Sequence, residues 1–244
     1  MPLDAQRFAA HFSAFVELAK AGPGPQAYLE SLEAKHLLFA RGVASRGREA
    51  IETLLEAVFP ARRKLFPVIE ALGADTFAFR LAALLHGEAP AERRIAAFGS
   101  ALPLPEGDTR ERRAARRKLE GAARDFAAEL LHFSDPATHP LATRWAADAV
   151  REFAASEAVP DAMRAREWLL ERIAEQGIYR DRHWWADLVL ATAYVGYFRA
   201  MTGGTLGSDF TRAATAEEQL RKLLGIDAER PGGRSRVRKA LAIH

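Results

Sequence analysis

Two Glu-x-x-His pairs, Glu33-Ala-Lys-His36 and Glu129-Leu-Leu-His132, are the first places where this chain could do chemistry. Residues three apart on a helix share a face, so each pair would present a carboxylate beside an imidazole. In helical bundles, two such pairs and one glutamate from each of two further helices hold two iron or manganese ions. Glu17 and Glu52 are the carboxylates that could complete the set. The chain has no cysteine, which restricts any metal to oxygen and imidazole donors. A helical chain with 21 Glu and 7 His also yields such pairs by chance. His36 falls in an apolar stripe, where a hydrogen-bonded core histidine is the commoner outcome.

Two further segments concentrate polar groups. His132-Phe-Ser-Asp-Pro-Ala-Thr-His-Pro140 places two His, a Ser, an Asp and a Thr between two helices. Asp135 before Pro136 is a turn former and Ser134 a possible cap, so the segment reads first as a capped interhelical turn. In Asp181-Arg-His-Trp-Trp-Ala-Asp187, His183 and Asp187 stand four apart at the start of the most apolar helix. A carboxylate inside such a helix must be paired or protonated. His183 and Asp187 are therefore the acid–base candidates, with a structural ion pair as the plainer alternative. Trp184 and Trp185 read as core.

The third chemistry is electrostatic. Of the 35 basic residues 29 are arginine, although 32 acidic residues leave a net charge of only +3. The arginines gather in three places: Arg62-Arg63-Lys64, the run Arg110-Glu-Arg-Arg-Ala-Ala-Arg-Arg-Lys118, and a tail carrying Arg234, Arg236 and Arg238. On a helix Arg110, Arg113 and Arg117 align, with Arg112 and Arg116 beside them. Arginine forks match phosphate oxygens bidentately, so these clusters could track a nucleic acid or another polyanion.

The elements that must position these residues are helical throughout. Ala, Leu, Glu and Arg dominate, and alternating β-branched runs do not occur. Periodicity and breakers predict helices over about 3–20, 26–40, 46–59, 61–72, 75–86, 90–98, 109–133, 140–155, 161–177, 182–201 and 216–224. Asp75 and Asp161 are expected N-caps, Thr215-x-x-Glu218 is a capping box, and Gly225 is a C-terminal stop. The expected fold is all-α, roughly ten helices packed around a central apolar helix near 182–201. The Ser100–Asp108 loop, with two prolines and a glycine, suggests an N-terminal helical part over 1–99 and a C-terminal one over 109–225, with one continuous domain as the alternative, followed by a basic tail over 226–244.

Composition (49% hydrophobic, 27% charged) is that of an ordinary globular chain and excludes a disordered or disulfide-stapled one. The N-terminal stretch carries Asp4, Arg7, His11 and Glu17 and so lacks a signal-peptide apolar core. Trp184–Phe198 is too short to span a bilayer comfortably and contains Asp187. A cytoplasmic location and no membrane partner are the expectations. No Gly-x-x-x-x-Gly-Lys-Ser/Thr, Gly-x-Gly-x-x-Gly, Gly-x-Ser-x-Gly or His-Glu-x-x-His motif is present, and no cofactor is implied. The leading expectation is polyanion or nucleic-acid binding through the arginine clusters. The alternatives are a helical enzyme with a carboxylate/histidine metal or acid–base site, and a module that binds another protein.

Overall fold

A computed structural model describes residues 3–44, 47–59, 61–62, 64–103, 107–156, 160–202 and 215–227. The described residues form eleven helices: α1 (Ala5–Lys20), α2 (Pro25–Ala44), α3 (Arg48–Glu56), α4 (Phe66–Leu72), α5 (Ala74–His86), α6 (Ala91–Ser100), α7 (Arg110–Ser134), α8 (Arg144–Phe153), α9 (Ala162–Glu175), α10 (Arg182–Thr202) and α11 (Ala216–Leu224). The only β-type pairing among them is an isolated bridge between Leu3 and Ala154. The fold is all-α, and no helix among the described residues is long and apolar enough to cross a membrane.

The helices begin where short polar side chains can satisfy the first free amides. Asp4 accepts from the amides of Gln6 and Arg7, Thr109 from Arg112, Thr143 from Ala146 and Asp161 from Arg164. Thr215 and Glu218 form the reciprocal box that opens α11, with both bonds at 3.1 Å. Gly225, at φ 70°, takes the left-handed conformation that ends α11. Asp75 is not the cap of α5. Gly73, at φ 77°, reverses the chain between α4 and α5, and Asp75 lies one residue inside the first turn. Replacing Thr215 by Ala should cost about 1 kcal/mol, read as faster amide hydrogen exchange across α11 with α10 unchanged.

The chain divides into two compact units. One comprises residues 1–34 and 140–227, the other residues 35–139. The division falls within α2 and again after the turn that follows α7. The Ser100–Asp108 stretch, between α6 and α7, belongs to the second unit.

In the first unit α10 is central and packs on α1, α8, α9 and α11. Trp184, Leu188, Val189, Ala191 and Val195 are buried around its circumference, the signature of a helix enclosed on all sides. Trp185 meets Phe12 and Phe15, with centroids 5.7 and 5.6 Å apart. Arg7 donates to the carbonyls of Glu152 and Ala154 at 3.2 Å, closing the C-terminal end of α8 against α1. The buried Tyr28 lies under the Arg221 guanidinium, 4.8 Å from its ring centre. Burial and the neighbouring Glu217 push its phenol up to about 12.

In the second unit α7 packs against α5 and α6, while α5 also meets α3 and α4. Phe126 of α7 faces Phe77 and Phe98, with centroids 6.3 and 6.0 Å away. Gly99 permits the close crossing of α6 on α7: an added Cβ would lie 3.0 Å from Cγ of Arg124. Burial on α7 begins only at Gly121 and then runs to Phe133. None of the first eleven residues of the helix, Arg110–Glu120, is fully buried, and Ala114, Arg116, Leu119 and Glu120 are half-buried.

Candidate functional site

The basic run on α7 lies in that amino-terminal half. Arg110, Arg113 and Arg117 recur at intervals of three and four and are all exposed. Arg124, seven residues beyond Arg117 and also exposed, continues the row past the end of the run. At about 100° per residue this row lies roughly opposite the inward line of Asp125, Phe126, Glu129 and Phe133, and the Arg112–Arg116 row lies to one side, about 100° from each. Arg112 is exposed and Arg116 half-buried. Among the described residues, Arg110, Arg113, Arg117 and Arg124 have no ion pair, whereas Arg48, Arg151, Arg164, Arg172 and Arg221 each meet a carboxylate. The row spans about 21 Å along the axis at 1.5 Å per residue.

The other arginine candidates do not extend this row. Arg62 donates through Nε to the Glu56 carbonyl at 2.5 Å and its guanidinium lies 5.9 Å from the Phe59 ring centre, so it closes the end of α3. Arg63, Arg234, Arg236 and Arg238 lie outside the described residues.

The Glu-x-x-His residues have other partners. Glu33 Oε2 accepts from the Trp184 indole N–H at 3.1 Å. His36 is half-buried, and its Nδ1–H donates to the Phe133 carbonyl at 2.6 Å. His132 is buried and donates through Nδ1 to the His139 carbonyl at 2.8 Å. Glu17 pairs with Lys20 at 2.8 Å and Glu52 with Arg48 at 2.7 Å. Among the described residues, no three His, Asp or Glu side chains group so as to hold a metal ion.

Glu129 is held by a residue the sequence reading passed over. The Lys35 ammonium stands 2.6 Å from Glu129 Oε2, and the two side chains are 2% and 1% exposed. The same ammonium lies 4.1 Å from the centre of the Phe133 ring and 5.5 Å from that of Phe39, so aromatic faces line part of its environment. Asp125, one turn before Glu129, and His132, one turn after, are also buried. Burial raises the Glu129 pKa, Lys35 opposes that rise, and Asp125 reinforces it. Glu129 Oε1 has no hydrogen-bond partner among the described residues. The signal for Lys35 was present in its spacing, three after Leu32 and four before Phe39, both of which are buried.

The interhelical segment after α7 is a capped turn. Asp135 accepts from the amides of Ala137 and Thr138 at 3.2 Å, which with the Thr138 side chain holds its carboxyl below the usual range. Ser134 bonds back to the Leu130 carbonyl at 2.6 Å rather than capping forward. Burial, with Arg94 next, lowers the His139 pKa and favours the neutral ring.

The acid–base candidates belong to the first unit. Asp187 is buried on α10, and His183, one turn earlier, is half-buried edge-on to Trp184 with centroids 4.2 Å apart. His36, His132 and His139 belong to the second unit. Comparison with family models, with curated proteins and with solved structures returns no match to this chain.

Proposed function

We propose that the protein binds a polyanion, and specifically nucleic acid, through the outward face of α7. The observation that carries this reading is the row Arg110, Arg113, Arg117 and Arg124, all exposed, on a helix none of whose first eleven residues is fully buried. A surface helix ordinarily intersperses acids among its bases to form i,i+4 pairs. Here six Arg or Lys accompany one Glu in the nine residues from 110 to 118. Leaving such charges adjacent costs self-repulsion, and a line of phosphates relieves it while releasing condensed counterions. Thr109 caps the helix just before the row, so the positive end of the helix dipole adds to the same field.

The test is anisotropy of labelled duplex DNA, single-stranded DNA and RNA with the full chain as salt is raised. Four arginines neutralising four phosphates of B-DNA give a slope of log K against log salt of about −3.6. Affinity should therefore fall about a hundredfold between 50 and 200 mM salt. If none of the three nucleic acids binds at low salt, the reading is overturned.

A further inference from the structure

Arg110, Arg113, Arg117 and Arg124 fall within about 60° of one another around the axis of α7, and all four are exposed. The surface to either side of this row is partly covered. Ala114 on one flank, and Arg116 and Leu119 on the other, are half-buried. Arg112 runs against the preceding loop, where a Cβ on Gly107 would lie 3.0 Å from the arginine Cδ. A ridge of this shape meets a ligand along one line. Resting on the reading above, we infer that the row grips a single phosphodiester backbone from outside, over about six nucleotides of one strand, and senses neither base sequence nor the presence of a second strand.

The footprint follows from the spacing. From Arg110 to Arg124 the helix advances about 21 Å at 1.5 Å per residue. Phosphates of one strand recur about every 3.4 Å along a duplex, so the row spans about six of them. Four guanidinium groups over six phosphates leave several registers open, which suits a contact that slides along its partner.

Indifference to sequence follows from what the segment lacks. Arg110–Arg124 contains no aromatic residue on which an unpaired base could stack, and Phe126 just beyond it is fully buried. The segment also contains no Asn, Gln, Ser or Thr, so the amides and hydroxyls that read base edges are missing. Arginine reads guanine O6 and N7 from within the major groove, and the covered flanks of this helix keep the row outside. What remains is contact with phosphate oxygens, which positions a nucleic acid without reading it.

One carboxylate interrupts the line. Glu120 stands seven after Arg113, between Arg117 and Arg124, and is half-buried where α6 approaches at Gly99. A backbone that follows the row from Arg117 to Arg124 must pass it, so Glu120 opposes binding by every kind of strand.

The experiment uses the full chain at 100 mM salt. Its probes are duplex and single-stranded DNA of 24 residues, each in three unrelated sequences, duplex RNA of the same length, and single strands of 3, 8 and 16 nucleotides. Four contacts give salt slopes of about −3.6 on duplex DNA and about −2.8 on single strands, so the duplex should bind only about sixfold tighter. Duplex RNA should lie within about threefold of duplex DNA, and the three sequences within about threefold of one another. An 8-nucleotide strand should bind about 25-fold tighter than a 3-nucleotide one, which lacks two of the four contacts. Lengthening to 16 should add no more than about fivefold, from extra registers. Arg113→Glu should weaken every 24-residue probe by a similar factor, and Glu120→Gln should tighten every one about twofold. A sequence spread above about threefold, a duplex preference above about thirtyfold, single strands bound more tightly than duplexes, an 8-nucleotide strand no tighter than a 3-nucleotide one, or an Arg113→Glu loss confined to one kind of probe would overturn the inference and leave nucleic-acid binding standing. Failure of every probe to bind would overturn both.

Discussion

Lys35→Met alone is expected to destabilise the protein by about 3–5 kcal/mol, because it leaves the buried Glu129 carboxylate without its cation, and Glu129→Leu alone should also destabilise it, by removing the carboxylate 2.6 Å from the buried ammonium. The double substitution Lys35→Met/Glu129→Leu should return to within about 1 kcal/mol of the parent or exceed it, since two apolar side chains of similar size need no compensating charge. The pair is buried on both sides, at 2% and 1% exposure, so solvent cannot relax either half. Urea unfolding of the four proteins measures the coupling directly. A cost below 1 kcal/mol for Lys35→Met would show that Lys35 is not what neutralises Glu129.

The two single variants should respond to pH in opposite directions. Glu129 already has a raised pKa from burial, and loss of the Lys35 ammonium raises it further. A raised carboxyl contributes stability that is present below the unfolded value, about 4.3, and is lost as pH rises through the folded one. The deficit of Lys35→Met should therefore be smaller at pH 5 than at pH 8. In Glu129→Leu the group that loses its carboxylate is a buried amine, whose charged form burial disfavours. Its deficit should shrink as pH rises toward 10 and grow as pH falls. Parallel pH profiles for the two variants would contradict the pairing.

The second large effect belongs to binding. Arg113→Ala/Arg117→Ala should lower duplex affinity about fiftyfold at 0.1 M salt, because each lost phosphate contact removes about 0.9 from the salt slope. The slope itself should fall by about 1.8 units. Arg113→Glu/Arg117→Glu should bind more weakly still. Both residues are exposed, and no ion pair among the described residues involves them, so thermal stability should be unchanged. Arg48→Ala makes the control, since that arginine is engaged by Glu52 at 2.7 Å and Glu70 at 3.5 Å on α3 and α4. Equal loss in the Arg48 variant would mean that net charge, not the α7 row, governs binding.

How far these sites could be read from the chain differs by residue. The helices themselves were legible because caps and periodicity act within a few residues. Asp161, the Thr215–Glu218 box and Gly225 do in the structure what their types require. The alignment of Arg110, Arg113 and Arg117 followed in the same way, and Arg124 needed only one more step of seven. The inward face of α2 was harder. A stripe through Leu29, Leu32, His36 and Phe39 placed His36 inward, whereas Lys35 is the buried residue and His36 is half-buried at its edge. Adjacent helical positions differ by only about 100°, and whichever neighbour supplies a carboxylate decides which polar residue turns in.

The sequence by itself determined an all-α chain, the position of nearly every helix, an apolar α10 enclosed in its unit and a basic α7 amino-terminal half. All of these are set by local propensity, capping and spacing along the chain. Only the tertiary structure decided that none of the first eleven residues of α7 is fully buried, that Lys35 meets Glu129 across 94 positions of chain, and that the compact units divide inside α2 and after the turn following α7. Those outcomes depend on which surfaces cover one another. Packing of that kind is chosen among distant segments by buried area and by the need to neutralise charge, and neither quantity is written in the spacing of neighbouring residues.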